Sequence, residues 1–173
     1  MEKYVPDIYQ KSIYTIDYDK LKKMGITCLL FDLDNTLVPF DVKEANEKIK
    51  NLFELLKEKG FQVVIFSNSP KSRLEPFKNY LEVDCSASSK KPLKTGFLKI
   101  LSEYKVDENQ VAIIGDQILT DIIGGNRIGI TTILVNPIST HDAFWTKFNR
   151  FREKIIIKKL RNRNLFVQGR YYE

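Results

Sequence analysis

The sequence predicts an α/β fold, a mainly parallel sheet covered by helices on both faces, and three observations predict it. Apolar runs of strand length recur at TCLLF (27–31), FQVVIF (61–66), VAIIG (111–115) and TTILV (131–135). They do not alternate strongly, which is how strands buried on both faces read. Helix-like segments separate them, and strand alternating with helix is the mark of βαβ units. The first helical segment covers about 43–59, rich in Glu, Lys and Leu and closed by Gly60. Others cover 71–80, 93–104 and 119–128, the last ending near Gly129, and a short edge strand is expected near 81–85.

The bulk properties bound the function classes. A chain of 173 residues is the size of one domain and can bury a real core. Its two cysteines, Cys28 and Cys85, are far apart and in no metal-ligand spacing, so neither a disulfide framework nor a zinc site is expected. A reducing cytosol fits that usage. The opening MEKYVPDIYQK has no apolar core of a signal peptide, and no apolar stretch approaches the roughly 18–20 residues that span a bilayer. The net charge of +6 is unevenly placed: residues 141–173 carry nine Lys/Arg against three Asp/Glu, and the first 140 residues balance. The expected organisation is therefore a core at 1–140 and a basic amphipathic C-terminal extension of the same domain at 141–173.

In such sheets ligands sit beyond the carboxyl ends of the strands, so the residues just after each apolar run are informative. Asp32-Leu33-Asp34-Asn35-Thr36 comes after the first and Ser67-Asn68-Ser69 after the second. Gly115-Asp116 ends the third with Asp121 behind it, and a Lys90-Lys91-Pro92 turn lies between the second and third. Singly, each has a plain explanation: a solvated turn, a helix cap before Pro70, an exposed basic turn, a common loop pair. Together they supply the parts for phosphoryl transfer, which needs a nucleophile, a proton donor, a cation and donors for the equatorial oxygens. Asp32 and Asp116 offer hard oxygens suited to Mg²⁺. Ser67 and Lys91 offer a hydroxyl and a positive charge to the phosphate.

On those residues the sequence resembles the haloacid dehalogenase (HAD) superfamily of phosphatases, whose four motifs stand here in order. They are Asp32-Leu33-Asp34-Asn35-Thr36; Ser67 at a strand end; Lys91 before Pro92, preferred to Lys90; and Gly115-Asp116 with Asp121. The resemblance implies a Rossmann-like three-layer α/β/α sandwich. It implies that Asp32 attacks phosphorus while also binding Mg²⁺, and that Asp34 protonates the leaving oxygen and then deprotonates water. The Asp34 carbonyl and the Asp116 carboxylate would complete the metal shell. Thr36, Ser67, the Asn68 backbone N–H and Lys91 would surround the phosphate, and Asp121 would act one layer out, orienting Lys91 or Ser67. The double duty of Asp34 requires it to carry a proton part of the time, which burial near the core favours. No large cap domain is expected, since 30 residues separate Thr36 from Ser67 and 23 separate Ser67 from Lys91, each one helix-sized unit. An open site suits a phosphate on something bulky.

The opening YVPDIYQKSIYTID, the extended motif LLFDLDNTLVPFD and GDQILTDIIGGNRIGITTILVNPI are similar to the YqeG group. These are capless subfamily IIIA proteins related to phosphatidylglycerophosphate phosphatases. That likeness implies removal of the terminal phosphate of phosphatidylglycerophosphate. Other phosphatase substrates, a nucleotide, a sugar phosphate or a phosphoprotein, share the same motifs, and a binding protein with incidental catalysis is a third reading. In the tail, Phe144, Phe148, Phe151, Ile155 and Leu160 fall near helical spacing, with Lys147, Arg150, Lys154, Lys158 and Arg161 mostly on other faces. Such a helix either lies in an anionic membrane interface or packs its Phe and Ile onto the domain, and Trp145 suits both settings. Nucleic-acid phosphates would also satisfy the charge.

Overall fold

The computed structural model describes residues 1–142 and 144–173, without the side chain of Trp145, so the expectation for that residue lies outside the described residues. After a 3-10 turn at Glu2–Tyr4 come β1 (Ile8–Gln10) and α1 (Tyr18–Lys23), neither anticipated from sequence, and then β2 (Cys28–Phe31). Next come α2 (Glu47–Glu58), β3 (Gln62–Phe66), α3 (Lys71–Leu81), β4 (Asp84–Ser86) and α4 (Lys94–Tyr104). β5 (Val111–Gly115), α5 (Ile123–Ile128), β6 (Thr131–Val135) and α6 (Phe144–Asn162) complete it. The four long strands stand where the apolar runs predict them, and the short edge strand expected near 81–85 lies at Asp84–Ser86, because α3 runs on to Leu81. α2 starts at Glu47 rather than at 43 because the Asn46 side chain accepts from Ile49 N at 3.0 Å and caps the helix there. α5 is preceded by a wide π turn at Ile118–Ile122, a feature often found at functional sites.

The described strands form one parallel sheet in the order β1-β6-β5-β2-β3-β4. Strand side chains alternate between two apolar layers, which explains the unbroken hydrophobic runs. Leu29, Phe31, Val63, Ile65, Ala112 and Ile114 face one layer with α2 and α3. Cys28, Leu30, Val64, Phe66, Val111 and Ile113 face the other, with Phe97 and Ile100 of α4. A third cluster at the β1–β6 edge joins Tyr9, Ile118, Ile122 and Leu134 to Leu160 of α6 and Phe166 beyond it. The C-terminus closes this edge, Tyr9 and Tyr172 exchanging backbone hydrogen bonds at 2.9 Å in both directions.

The chain order reverses direction across the sheet between β2 and β5, which is where open α/β sheets bind ligands. Phe31 is in register with both Ile65 and Ile114, so the residues after β2, β3 and β5 emerge side by side.

Candidate active site

The loop after β2 is built to turn two carboxylates toward the rim and the residue between them into the core. Leu33 has no exposed surface and sits in the core, so Asp32 and Asp34 point the other way. Asn35 takes a left-handed backbone (φ 61), which Asn tolerates better than most residues. The turn is closed by Thr36, Leu37 and Val38 N–H groups, all donating to Leu33 O. The Asn35 side chain is spent on tethering: its amide donates to His141 O at 3.0 Å and Asp142 Oδ1 at 2.7 Å, and its carbonyl accepts from Ser139.

Four sequence-predicted residues meet at the sheet rim. Lys91, 5 % exposed, donates from Nζ to Asp32 Oδ1 at 2.8 Å, Asp121 Oδ1 at 2.7 Å and Phe66 O at 2.9 Å. Lys90 points outward and takes no part. Asp32, Asp116 and Asp121 each place an oxygen within 4.8 Å of the others. Burial pushes Asp32 well above the usual carboxylate range, Lys91 pulling it down and Asp121 and Asp116 pushing further up. Burial works against the Lys91 charge, yet Asp121 and Asp32 outweigh it and hold the ammonium protonated. Gly115 is required here, because a Cβ on it would overlap the Asp121 carboxylate.

The cluster fits a hard divalent cation by its donor chemistry, three carboxylates with no sulfur or imidazole among the described residues. Asp32 Oδ2 is uncommitted among the described residues. Both oxygens of Asp121 are taken, by Lys91 and by Gln117 N at 3.2 Å. The buried Gln117 Oε1, next to Asp116, has no partner among the described residues, and a cation's water would satisfy it.

The remaining predicted residues are arranged less simply. Ser67, 1 % exposed, accepts from Ser69 N at 3.1 Å and keeps its own proton to donate. Asn68 clamps the Lys91 backbone, accepting from Lys91 N at 2.7 Å and donating to Lys91 O at 3.0 Å, while its own N–H is free among the described residues. Thr36 gives its hydroxyl proton to Asp116 Oδ1 at 2.8 Å, so it shapes the Asp116 carboxylate rather than facing outward. Asp34 is not sunk in apolar surroundings: its side chain is 29 % exposed, accepts from Ser69 Oγ at 2.6 Å and pairs with Arg73 at 3.0 Å.

Three residues at the site carry no sequence motif. Arg73, in the first turn of α3, holds Asp34 and also donates to the carbonyls of Val42 and Pro39. Arg150 of α6 reaches Asp116 through both its carbonyl, at 2.8 Å, and its carboxylate, and also pairs with Asp142 at 3.4 Å and Glu153 at 3.2 Å. Burial raises Asp116 and Arg150 lowers it again in part. Glu153 accepts from Leu119 N at 2.9 Å, satisfying an N–H at the start of the π turn.

Glu153 sets a pH dependence. Burial pushes it up to about 7 from 4.5, the Leu119 N–H and Arg150 opposing. Its protonated form is preferred in the fold, so its contribution is fully present below about 4.5 and lost as pH rises through about 7. Glu153→Gln keeps the acceptor for Leu119 and cannot ionise. Its stability relative to the parent should swing in its favour by about 3 kcal/mol between pH ~4.5 and ~8. Denaturant melts at the two pH values check this; parallel curves would mean Glu153 is not buried as described.

A family model described as HAD-hydrolase-like matches residues 89–161. The probable phosphatase YqeG of Bacillus subtilis is 36% identical over 160 residues, covering 92% of this chain and 93% of that protein. Phosphatidylglycerophosphate phosphatase 1 of Arabidopsis thaliana is 26% identical over 188 residues; the match takes in 96% of this chain but only 48% of the plant protein. Among solved structures, the cobalt-bound deoxy-D-mannose-octulosonate 8-phosphate phosphatase of Haemophilus influenzae superposes with a TM-score of 0.57 at 15% identity. It covers 79% of this chain and 90% of its own, a likeness of fold.

Proposed function

This chain belongs to the HAD-like phosphatases, and on that premise we propose that it hydrolyses the terminal phosphate of phosphatidylglycerophosphate to give phosphatidylglycerol at an anionic membrane surface. The observation that carries this reading is the setting of the carboxylate cluster beside α6. That helix has seven Lys/Arg and one Glu, and it turns Phe148 (60 % exposed), Phe151 (63 %) and Ile155 (46 %) to solvent. An amphipathic helix with exposed aromatic and cationic side chains is suited to a lipid interface. No helix among the described residues is long and apolar enough to cross a membrane; in this reading α6 makes the attachment, peripherally and at the inner face. In this reading residues 1–140 carry the chemistry and 141–173 form an extension of the same domain.

The residues divide the reaction between them. Lys91 holds Asp32 Oδ1, leaving Oδ2 to attack phosphorus. The new P–O bond forms to Asp32 as the bond to the glycerol oxygen breaks, and Asp34 gives that oxygen its proton. Asp34 then takes a proton from water, which attacks phosphorus and releases Asp32 and inorganic phosphate. Arg73 and Ser69 fix Asp34 for both steps; when Asp34 is protonated the Ser69 hydroxyl turns to accept. Ser67 and Asn68 N–H face the phosphoryl oxygens. Lys91, whose three N–H groups go to Asp32, Asp121 and Phe66 O, offsets their charge, Thr36 acts through Asp116, and Asp121 positions Lys91. Mg²⁺, held by Asp32, Asp116 and the Asp34 carbonyl, would offset the negative charge of the phosphate.

Phosphate release from phosphatidylglycerophosphate in mixed micelles, set against a panel of nucleotides, sugar phosphates and a phosphopeptide, tests the substrate. The lipid is expected to lead in kcat/KM by at least about 100-fold, roughly 3 kcal/mol of transition-state binding. A soluble ester that outperforms it sinks the lipid reading and leaves the phosphatase intact.

A further inference from the structure

A cavity of about 650 Å³ lies between α6 and the carboxyl ends of β5 and β6, a size typical of sites for whole small ligands. Asp116 and Arg150 are among its lining residues, so it borders the carboxylate cluster at Asp116. Leu134, Ile157 and Phe166 give it an apolar wall, and Lys147, Phe151 and Lys154 line it from α6. The mouth is therefore continuous with the exposed stripe that Phe151 shares with Phe148 and Ile155.

We propose that this cavity binds the non-reacting part of an anionic glycerolipid, with its internal phosphodiester between Lys147 and Lys154 and its acyl-proximal carbons against Phe151 and the apolar wall. The inference rests on the lipid-phosphate reading above and adds the place where the lipid is held. Charge selects the occupant. Arg150 is already matched by Asp116, Asp142 and Glu153. Lys147 and Lys154 make no ion pair among the described residues, and their seven-residue spacing puts both on one face, about two turns apart. A neutral or cationic amphiphile would leave these two charges unmatched. A phosphomonoester without a tail would leave the apolar wall wet. Arg150 stands at the junction, where it meets both the cavity and Asp116.

Calorimetric titration of the full chain with dihexanoyl phosphatidylglycerol below its micelle concentration tests the site. That probe has the phosphodiester and acyl chains but no terminal phosphate, so it cannot be turned over. Binding should weaken by at least about tenfold in Lys147→Glu/Lys154→Glu, and similarly in Ile157→Trp, which fills the cavity. The double lysine variant changes only exposed positions and keeps the test alive if Ile157→Trp does not fold. Phe148→Ser, outside the cavity, should bind the probe like the parent. Inorganic phosphate, a probe of the reacting end alone, should bind the double lysine variant within about threefold of the parent. Absent probe binding, equal binding in all variants, or an equal loss of inorganic phosphate and lipid affinity would each overturn the cavity assignment. With phosphatidylglycerophosphate still preferred in the substrate panel, that failure would leave the lipid reading standing.

Discussion

Asp32→Asn should reduce divalent-metal-dependent phosphate release by about 10⁴-fold or more, because an amide cannot replace the carboxylate that attacks phosphorus in the proposed mechanism. The fold should survive. Asp32 is buried with its ionised form disfavoured, so the substitution removes a costly charge. Lys91 keeps Asp121 at 2.7 Å and the Phe66 carbonyl at 2.9 Å, so its ammonium is still matched. The amide also retains an oxygen for metal, and titration with Mn²⁺ should show affinity within about 100-fold of the parent. Activity with a small ester such as p-nitrophenyl phosphate and a melting curve decide the matter. Undiminished turnover in a folded variant would remove Asp32 as nucleophile; loss of turnover with loss of fold would return it to a structural role.

Lys91→Met should cost more in stability than any surface change. The substitution keeps length and apolar bulk but strips the cation from a cluster whose three carboxylates place oxygens within 4.8 Å of one another. Of the three carboxylates Arg150 pairs only with Asp116, so Asp32 and Asp121 are left facing each other without a counter-charge. Breaking a buried pair by removing one partner typically costs about 3–5 kcal/mol. Burial already raises Asp32 and Lys91 is what pulls it down, so without Lys91 it takes up a proton more readily in the fold than when unfolded, and the loss is largest above neutrality and shrinks as pH falls. Millimolar Mg²⁺ should recover part of it by supplying the missing charge. Denaturant melts at about pH 5 and about pH 8, with and without Mg²⁺, measure all three effects. A variant as stable as the parent at the higher pH would mean that Lys91 is not the counter-ion of this cluster.

The two variants separate residues whose importance is legible in the sequence from those whose reason is not. Lys91 is distinguishable from Lys90 by the proline behind it, but its burial between Asp32 and Asp121 is a three-dimensional fact. Gly115 reads as an ordinary loop glycine until Asp121 folds over it. Arg73 leaves a faint signal, a cation one turn into the helix that begins after Ser67-Asn68-Ser69. Arg150 leaves none, because it sits among nine basic residues of the tail with nothing local to single it out. The tail also shows how periodicity misleads. Phe148, Phe151 and Ile155 have the spacing of a core-facing stripe, yet they are exposed, and α6 docks through Leu160, Glu153 and Arg150.

By itself, the sequence determined the parallel sheet and the order of its polar strand ends. A strand buried on both faces must be apolar throughout, so its exit at the rim is marked by the first polar residue. That is why Asp32, Ser67 and Asp116 are identifiable from hydrophobic runs alone. Only the tertiary structure decided how α6 is turned. A helix has one apolar pattern but several faces that can dock, and the choice here is made by distant partners, the Asp116 carbonyl and carboxylate and the Leu119 N–H. Those partners place Arg150 and Glu153 inward, and the geometry of a helix then leaves the aromatic stripe outside.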